Sequence, residues 1–494
     1  MNILKIVRKN RNNIIIFFTV LIISLIIFKE WLPGHYATDT YDVINKGYSG
    51  YSIINSLKDG RIFMNLIMQI ASILNLDIIV LEQATLILAI IICSISIVYL
   101  KSLAMRFIKE KKLLKEVLLT IASFVVIFNF MFLENMYYLE CLVMALGILT
   151  SIISAKVLIL DEKNNVIKSL LLMILSVAFY QGTTNFYVTL VVFLACIKHE
   201  KEDNVIIKKF LQGGVVWAVS MLTNYVLINS LQDLINIHSY RTGNIQNICY
   251  NFLYIIKNIP NMIINTNFYF PKYLFILNIV ILLALGIYYF FKTKEKYKIG
   301  YIILLCFCAY FSCFAISLVT LASFGSARMM FSLGALIGLL VMYYLVNSNN
   351  KDLFFIICIG ILIIYTGITT YEYIDKTNKQ VEINKKDIEH VQNVEKIIKK
   401  YESESGRKIN YIAFCKDKFS DVTYRNLYST ALEDSSIEPT WSRLGLVNYW
   451  TNRNLTEIKM DEEIYKQYFK DKDWNEFSEE QIVFIDETMY YCIY

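Results

Sequence analysis

Residues 31 to 61 read WLPGHYATDTYDVINKGYSGYSIINSLKDGR and directly follow an apolar run, residues 13 to 31. That run is long enough to cross a bilayer as a helix. The stretch after it is polar, carries Asp39 and Asp42 three positions apart, and closes on Asp-Gly-Arg with Arg61. A span followed by an acidic loop sets the reading of the whole chain. The loop lies at a membrane surface, and the apolar blocks beyond it are further spans.

Composition agrees. Of 494 residues 56% are hydrophobic and 18% charged, and the mean hydropathy is +0.47. The apolar residues come in blocks, so the fold class is an α-helical polytopic membrane protein. With roughly 20 apolar residues needed per crossing, about eleven transmembrane helices are expected. They fall near residues 13–31, 78–100, 116–133, 141–160, 169–179, 186–197, 210–230, 273–291, 299–322, 329–346 and 353–370. The net charge of +6 is spread over the loops between blocks. This pattern orients a membrane protein and gives no indication of a nucleic-acid partner.

Basic residues set the expected topology. Lys5, Arg8, Lys9 and Arg11 precede the first span, Lys101 to Lys115 follow the second, Lys198 to Lys209 the sixth and Lys292 to Lys298 the eighth. With eleven spans all of them share one side, which puts the N-terminus in the cytoplasm and the C-terminus outside. The first run has no small-x-small cleavage site and reads as an anchor. Tyr180-Gln-Gly-Thr-Thr-Asn185 interrupts the run from residue 169 to 197. Either one overlong helix projects from the bilayer or two short ones form a hairpin, and the lysines on both sides favour the hairpin. Polar backbone at membrane depth survives in a water-filled cavity or buried in protein, so the interruption predicts an outward-facing polar cavity.

From Tyr371 the composition turns polar. A helical pattern over residues 376–401 precedes short apolar runs at 409–415, 481–485 and 490–494 that read as strands. Residues 371–494 are therefore expected to form a small extracytoplasmic α/β domain, a lid or acceptor platform, beside a transmembrane domain over residues 1–370. Eight of the ten cysteines lie in or beside apolar segments, where a thiol acts as a small hydrophobe. Cys415 and Cys492 both fall in the tail and are the pair whose bridging geometry would decide. No spacing resembles a metal site, and Gly334-x-x-x-Gly338 suits close helix packing.

The candidate chemistry is acid–base work beside an anion. Asp39 and Asp42 could act as a general base, and Asp77 and Glu82 stand where the second span begins. Glu134 and Glu140 bracket a short outside loop, ENMYYLE. Arg61, Arg241 and Arg328 lie in outside loops, with Lys58, Lys257 and Lys272. The positive-inside rule disfavours cations there, and arginine matches phosphate with a forked pair of donors. Arg328 stands in the tight, otherwise uncharged FGSARMMF.

The order of a first span, an outside loop with DTYD, the GYSGY stretch and then DGR resembles the start of the bacterial O-antigen-type glucosyltransferases, membrane enzymes of the GT-C kind. FLENMYYLE at residues 132–140 and FYQ at 179–181 are similar to that family's second outside loop and its tyrosine-glutamine element. The likeness spans roughly residues 10 to 370. It implies transfer of glucose or a similar hexose from undecaprenyl phosphate to a cell-surface glycan. Asp39 would then be the base and Asp42 a looser counterpart, because many members place two acids side by side. Glu134 and Glu140 would orient sugar or acceptor, Tyr180 and Gln181 line the cavity, and Arg61 and Arg328 hold the lipid phosphate, with Arg241, in a longer outside loop, a weaker candidate for the same role. Two acids could also hold a divalent cation, but the sequence gives no complete coordination set. A lipid-linked sugar flippase is the rival from another class, though no inverted repeat and no charge deep in a span supports it. A surface-glycan polymerase or ligase would share the lipid-linked substrate.

Overall fold

The computed structural model describes residues 11–108, 112–161, 163–198, 203–237, 248–264, 297–315, 318, 327–347, 353–416, 435–474 and 476–493, with scattered positions among 276–291. The protein is a helical membrane protein. Among the described residues five helices are long and apolar enough to cross a membrane, and four shorter apolar helices accompany them.

In chain order the principal helices are α1 (Arg11–Ile27), α2 (Thr38–Tyr51), α3 (Ile62–Ile73), α4 (Ile78–Met105), α5 (Leu113–Ile127), α6 (Leu133–Tyr137), α7 (Cys141–Leu160), α8 (Asn165–Phe179), α9 (Gln181–Thr184) and α10 (Phe186–Lys198). There follow α11 (Asp203–Ile235), α12 (Ile248–Ile264), α13 (Tyr297–Ser312), α14 (Phe331–Asn347) and α15 (Leu353–Ser405). The chain divides into two compact units. The first comprises Met1–Leu32, Ser52–Met68 and Ala84–Ile374, the second Pro33–Tyr51, Gln69–Gln83 and Asp375–Tyr494.

In the first unit α8 and α10 form the hairpin that the flanking lysines favoured. Asn165 Nδ2, at the start of α8, donates to Leu158 O at 3.0 Å, and Lys198 Nζ, at the end of α10, donates to Ile159 O at 2.6 Å. Both ends therefore meet the C-terminus of α7, whose last carbonyls need donors. Polar contacts run along the packed faces: Ser154 Oγ lies 2.8 Å from Ser169 Oγ, and Ser151 Oγ 2.9 Å from Ser176 Oγ. Gly334 and Gly338 are internal packing. A Cβ at Gly338 would lie 2.7 Å from Ala122 O, so this glycine lets α14 approach α5 backbone to backbone, while one at Gly334 would run into the Asn129 side chain just past α5.

The second unit holds a four-stranded sheet of β1 (Tyr411–Lys416), β2 (Thr456–Glu457), β3 (Ile482–Ile485) and β4 (Thr488–Ile493), in the order β2-β1-β4-β3. β1 runs parallel to both neighbours, and β3 pairs antiparallel with β4. Alternation along the strands sorts the side chains by face. Ile412, Phe414, Met489 and Tyr491 pack with Val391, Val394 and Ile398 of α15, while Ala413, Tyr490 and Cys492 pack with Phe469. Cys415 and Cys492 are register partners on β1 and β4, and both are free thiols. Arg453 donates through Nε to Glu395 at 2.6 Å and through Nη1 to Glu402 at 2.7 Å, tying the end of helix α16 (Arg443–Thr451) to α15.

Two features differ from the expectation drawn from hydropathy. The polar helix over residues 376–401 is the continuation of the last apolar segment in one 53-residue helix, α15. No glycine or proline stands between Gly367 and Gly406, so nothing stops the helix where its composition changes. In addition, α3 and α12 are apolar helices of 12 and 17 residues, shorter than the roughly 20 residues of a full crossing.

Candidate functional site

The Asp-Gly-Arg turn is built by backbone geometry that only glycine supplies freely. After a π turn over Ser52–Leu57, Gly60 takes φ +76°, in the left-handed region that disfavours a Cβ. Its N–H donates to Leu57 O at 3.0 Å, and the Arg61 N–H donates to Ser56 O at 2.9 Å. Two glutamine side chains hold the carbonyls of this turn. Gln181 Nε2 donates to Asp59 O at 2.9 Å, and Gln232 Nε2 donates to Lys58 O at 2.8 Å.

This turn aims Arg61 inward. Its Nη1 donates to Glu140 Oε2, and its guanidinium lies 5.4 Å from the centroid of the Tyr180 ring. Glu140 is the N-cap residue of α7, and Tyr180, in extended backbone, separates α8 from α9. A second arginine repeats the pattern. Arg328 sits in a 3₁₀ turn, Ala327–Met330, and its guanidinium lies 4.8 Å from the Tyr138 ring centroid. Glu134, buried in α6, accepts the Arg328 backbone N–H at 2.7 Å and lies 3.7 Å from Arg328 Nε. Both arginine side chains are nearly buried, at 12% and 10% exposure. α6, α9 and α14 all pack on the turn that carries Arg328.

Chemically this is a pair of desolvated guanidiniums, each oriented by a carboxylate and backed by an aromatic face. Arginine stacks on rings and keeps its charge when buried, which lysine does not do as readily. Glu134 is committed to the turn through both oxygens. Glu140 uses Oε2 for Arg61, and its Oε1 is buried without a hydrogen-bond partner.

The two aspartates belong to the second unit. Asp39 stands in the first turn of α2, half-buried, where a carboxylate suits the positive end of the helix dipole. Asp42 is buried and ion-paired with Lys46 Nζ at 2.7 Å, one turn further on. Their loop is held by the tail. Asn384 accepts the Tyr36 N–H at 2.9 Å and donates to Tyr36 O at 3.0 Å, completing a backbone residue with one amide. Trp450 Nε1 donates to Tyr41 Oη at 2.9 Å, and the Tyr36 and Tyr41 rings stack at 5.4 Å. Thr40 Oγ1 donates to Glu82. A Cβ at Gly445 would lie 2.0 Å from Tyr41 O, so α16 rests directly on the α2 backbone.

Of the residues selected from sequence, Arg61, Glu134, Glu140, Tyr180, Gln181 and Arg328 all lie in the first unit. Arg61 is joined to Glu140, Tyr180 and, through the Asp59 carbonyl, Gln181; Arg328 is joined to Glu134. Asp39 and Asp42 lie in the second unit, and Arg241 lies outside the described residues. Sequence reasoning did not select Tyr138, Gln232, Asn384 or Gly445. Tyr138 stood in the quoted ENMYYLE, and the others carry no local signal. Among the described residues no three His, Cys, Asp or Glu side chains gather as a metal-ligand group.

No curated protein and no solved structure matches the chain. The model of one family, described as Glucosyl transferase GtrII, matches residues 32–345, which include the Asp39 loop and both arginine–glutamate pairs. That match covers more than half of the sequence, and the chain belongs to the glucosyl transferase GtrII family.

Proposed function

We propose that the protein transfers a glucosyl group from undecaprenyl phosphate to a cell-surface glycan at the outer side of the bacterial cytoplasmic membrane. The observation that carries this reading is the pair of buried arginines, each fixed by a glutamate and a tyrosine ring. A phosphate monoester leaving from a sugar needs donors already desolvated and aimed, because such groups need no reorganisation as charge develops. Arg61 offers the rest of its fork beside the Nη1 that Glu140 engages.

In this reading the acceptor oxygen attacks the anomeric carbon, the bond from that carbon to the phosphate oxygen breaks, and the polyprenyl phosphate departs with the electron pair. Asp39 takes the acceptor proton, and Asp42, neutralised by Lys46, has a supporting role. Glu140 Oε1 accepts from a sugar hydroxyl, and Glu134 holds the Arg328 turn. Arg241 is a further phosphate contact. About eleven spans of a GT-C-like domain over residues 1–370, a cytoplasmic N-terminus and an extracytoplasmic α/β domain over residues 371–494 complete the proposal. A divalent cation is not required by this scheme.

The test uses purified full-length protein in nanodiscs with radiolabelled glucosyl undecaprenyl phosphate and the host's surface glycan. Wild type should transfer label, and Asp39→Asn, with an unchanged thermal midpoint, should lose transfer at least 100-fold. Equal transfer by the folded variant removes Asp39 as base. A wild type that moves the lipid-linked sugar between leaflets but transfers nothing replaces the transferase reading with the flippase.

A further inference from the structure

Asn135 and Asn185 are 0% and 1% exposed, and neither the amide nitrogen nor the amide oxygen of either side chain has a hydrogen-bond partner. Buried amides in folded proteins are nearly always paired, and an orphan calls for an explanation such as a ligand. Two complete orphans in one neighbourhood are harder still to attribute to packing. The neighbourhood is set by Phe331, whose ring meets Phe132 at 5.5 Å and Phe186 at 4.8 Å. Asn135 lies one turn beyond Phe132, and Asn185 directly precedes Phe186. α6, which bears Asn135, and α9, which ends just before Asn185, both pack on the turn that carries Arg328. Ser332 Oγ, next to Phe331, is also buried without a partner.

The chemistry of the orphans identifies the ligand class. A carboxamide presents donors on nitrogen and an acceptor on oxygen, side by side. An anion would satisfy only the nitrogens and a cation only the oxygens, whereas hydroxyl groups donate and accept and can satisfy both. We propose that Asn135 and Asn185 are sugar-binding residues whose amides hydrogen-bond the ring hydroxyls of the transferred hexose, beside the arginine that takes its phosphate. This inference deepens the transferase reading and rests on it for the phosphate.

Asn135→Leu and Asn185→Leu keep the number and branching of the side-chain heavy atoms and remove the polar ones. In the ligand-free full-length protein their thermal midpoints should equal or exceed that of wild type, because a buried unpaired group has been deleted. Binding of bare undecaprenyl phosphate should be unchanged, while the preference of wild type for glucosyl undecaprenyl phosphate over the bare lipid should fall about tenfold in each variant. A lowered midpoint in either variant means that the amide holds the fold and overturns the proposal. Undiminished preference for the glucosyl lipid overturns it too, leaving a site for water alone. Methyl glucoside separates this inference from the donor reading. If wild type binds neither lipid, yet methyl glucoside raises its midpoint and not those of the variants, the lipid donor is wrong and the sugar site stands. No response of wild type to methyl glucoside or to either lipid overturns the sugar site as well.

Discussion

Replacing Gly60 with alanine should cost both fold and catalysis, and the two sources of the cost can be separated. At φ +76° an L-residue is strained, by about 1–2 kcal/mol. The new Cβ would also lie 2.5 Å from Ile228 Cγ1, 2.7 Å from its Cδ1 and 3.0 Å from Gln181 Nε2, an overpacking that costs about 1–3 kcal/mol. Together the loss is about 2–5 kcal/mol, a drop of about 2–5 °C in midpoint for a chain of this length. Displacing Gln181 frees the Asp59 carbonyl and shifts Arg61, and a misplacement near 1 Å is enough to cost roughly 100-fold in rate. Ile228→Ala removes the obstructing atoms at its own cavity cost of about 2–5 kcal/mol. In that background Gly60→Ala should forfeit the backbone strain and the milder contact with Gln181, so the double variant is less than additive by about 1–3 kcal/mol. The assay is the thermal midpoint of all four proteins in one detergent, with glucosyl transfer measured alongside. Strict additivity, or a Gly60→Ala protein as stable as wild type, refutes the steric argument.

Gly445→Ala should loosen α16 from α2, because its Cβ meets a backbone carbonyl rather than a flexible side-chain end. Faster proteolytic cleavage within residues 435–474 than in wild type checks this, and an unchanged pattern contradicts it. The second unit should also show two opposed acid responses, from residues in the polar part of α15. Burial raises Asp387 from 3.8 to about 7, against hydrogen bonds from Ser435 and Ser436, so the folded state binds its proton first and gains stability as pH falls through about 7 toward 4. Burial lowers His390 from 6.5 to about 4, so the unfolded state protonates first and stability is lost as pH falls from about 6.5 to 4. The two nearly cancel in wild type. Asp387→Asn should lose about 3 kcal/mol on acidification over that window, and His390→Gln should gain instead. Fluorescence of Trp441, Trp450 and Trp474 during denaturation follows this unit, and parallel acid profiles for the two variants contradict the assignment.

Much of the helical layout was legible because apolar block length is a local property that the bilayer thickness fixes. The hairpin at Tyr180 was legible for a related reason: lysines on both flanks and a polar tip admit few arrangements. The strands at 411–416, 482–485 and 488–493 followed from short apolar runs. What could not be read was long-range. Nothing near Tyr36 announces that Asn384 completes its backbone, 348 positions away. The composition change at residue 371 looks like a boundary, yet helix propensity does not change sign there, so α15 runs on. At the candidate site, Arg61 and Arg328 stood out as cations where topology disfavours them. Their glutamate partners emerged as neighbours only once α6, α7 and the 3₁₀ turn were assembled. The orphaned amides of Asn135 and Asn185 had no signature in sequence at all, since a lone asparagine between apolar runs reads as an ordinary turn residue.

The glutamine clamps on the Asp-Gly-Arg turn also impose an order in time. The Asp59 carbonyl waits for Gln181, 122 positions later, and the Lys58 carbonyl for Gln232, 174 positions later. At a synthesis rate of about 5–20 residues per second, roughly 10 to 35 s pass between the emergence of this turn and that of its second clamp. Until then the Lys58 carbonyl, three residues before Arg61, is unclamped, although Glu140, Tyr180 and Gln181 have already emerged. A chain arrested or truncated before Glu140 would carry Arg61 without any of the groups that aim it, so such incomplete copies in the membrane should be silent rather than indiscriminate.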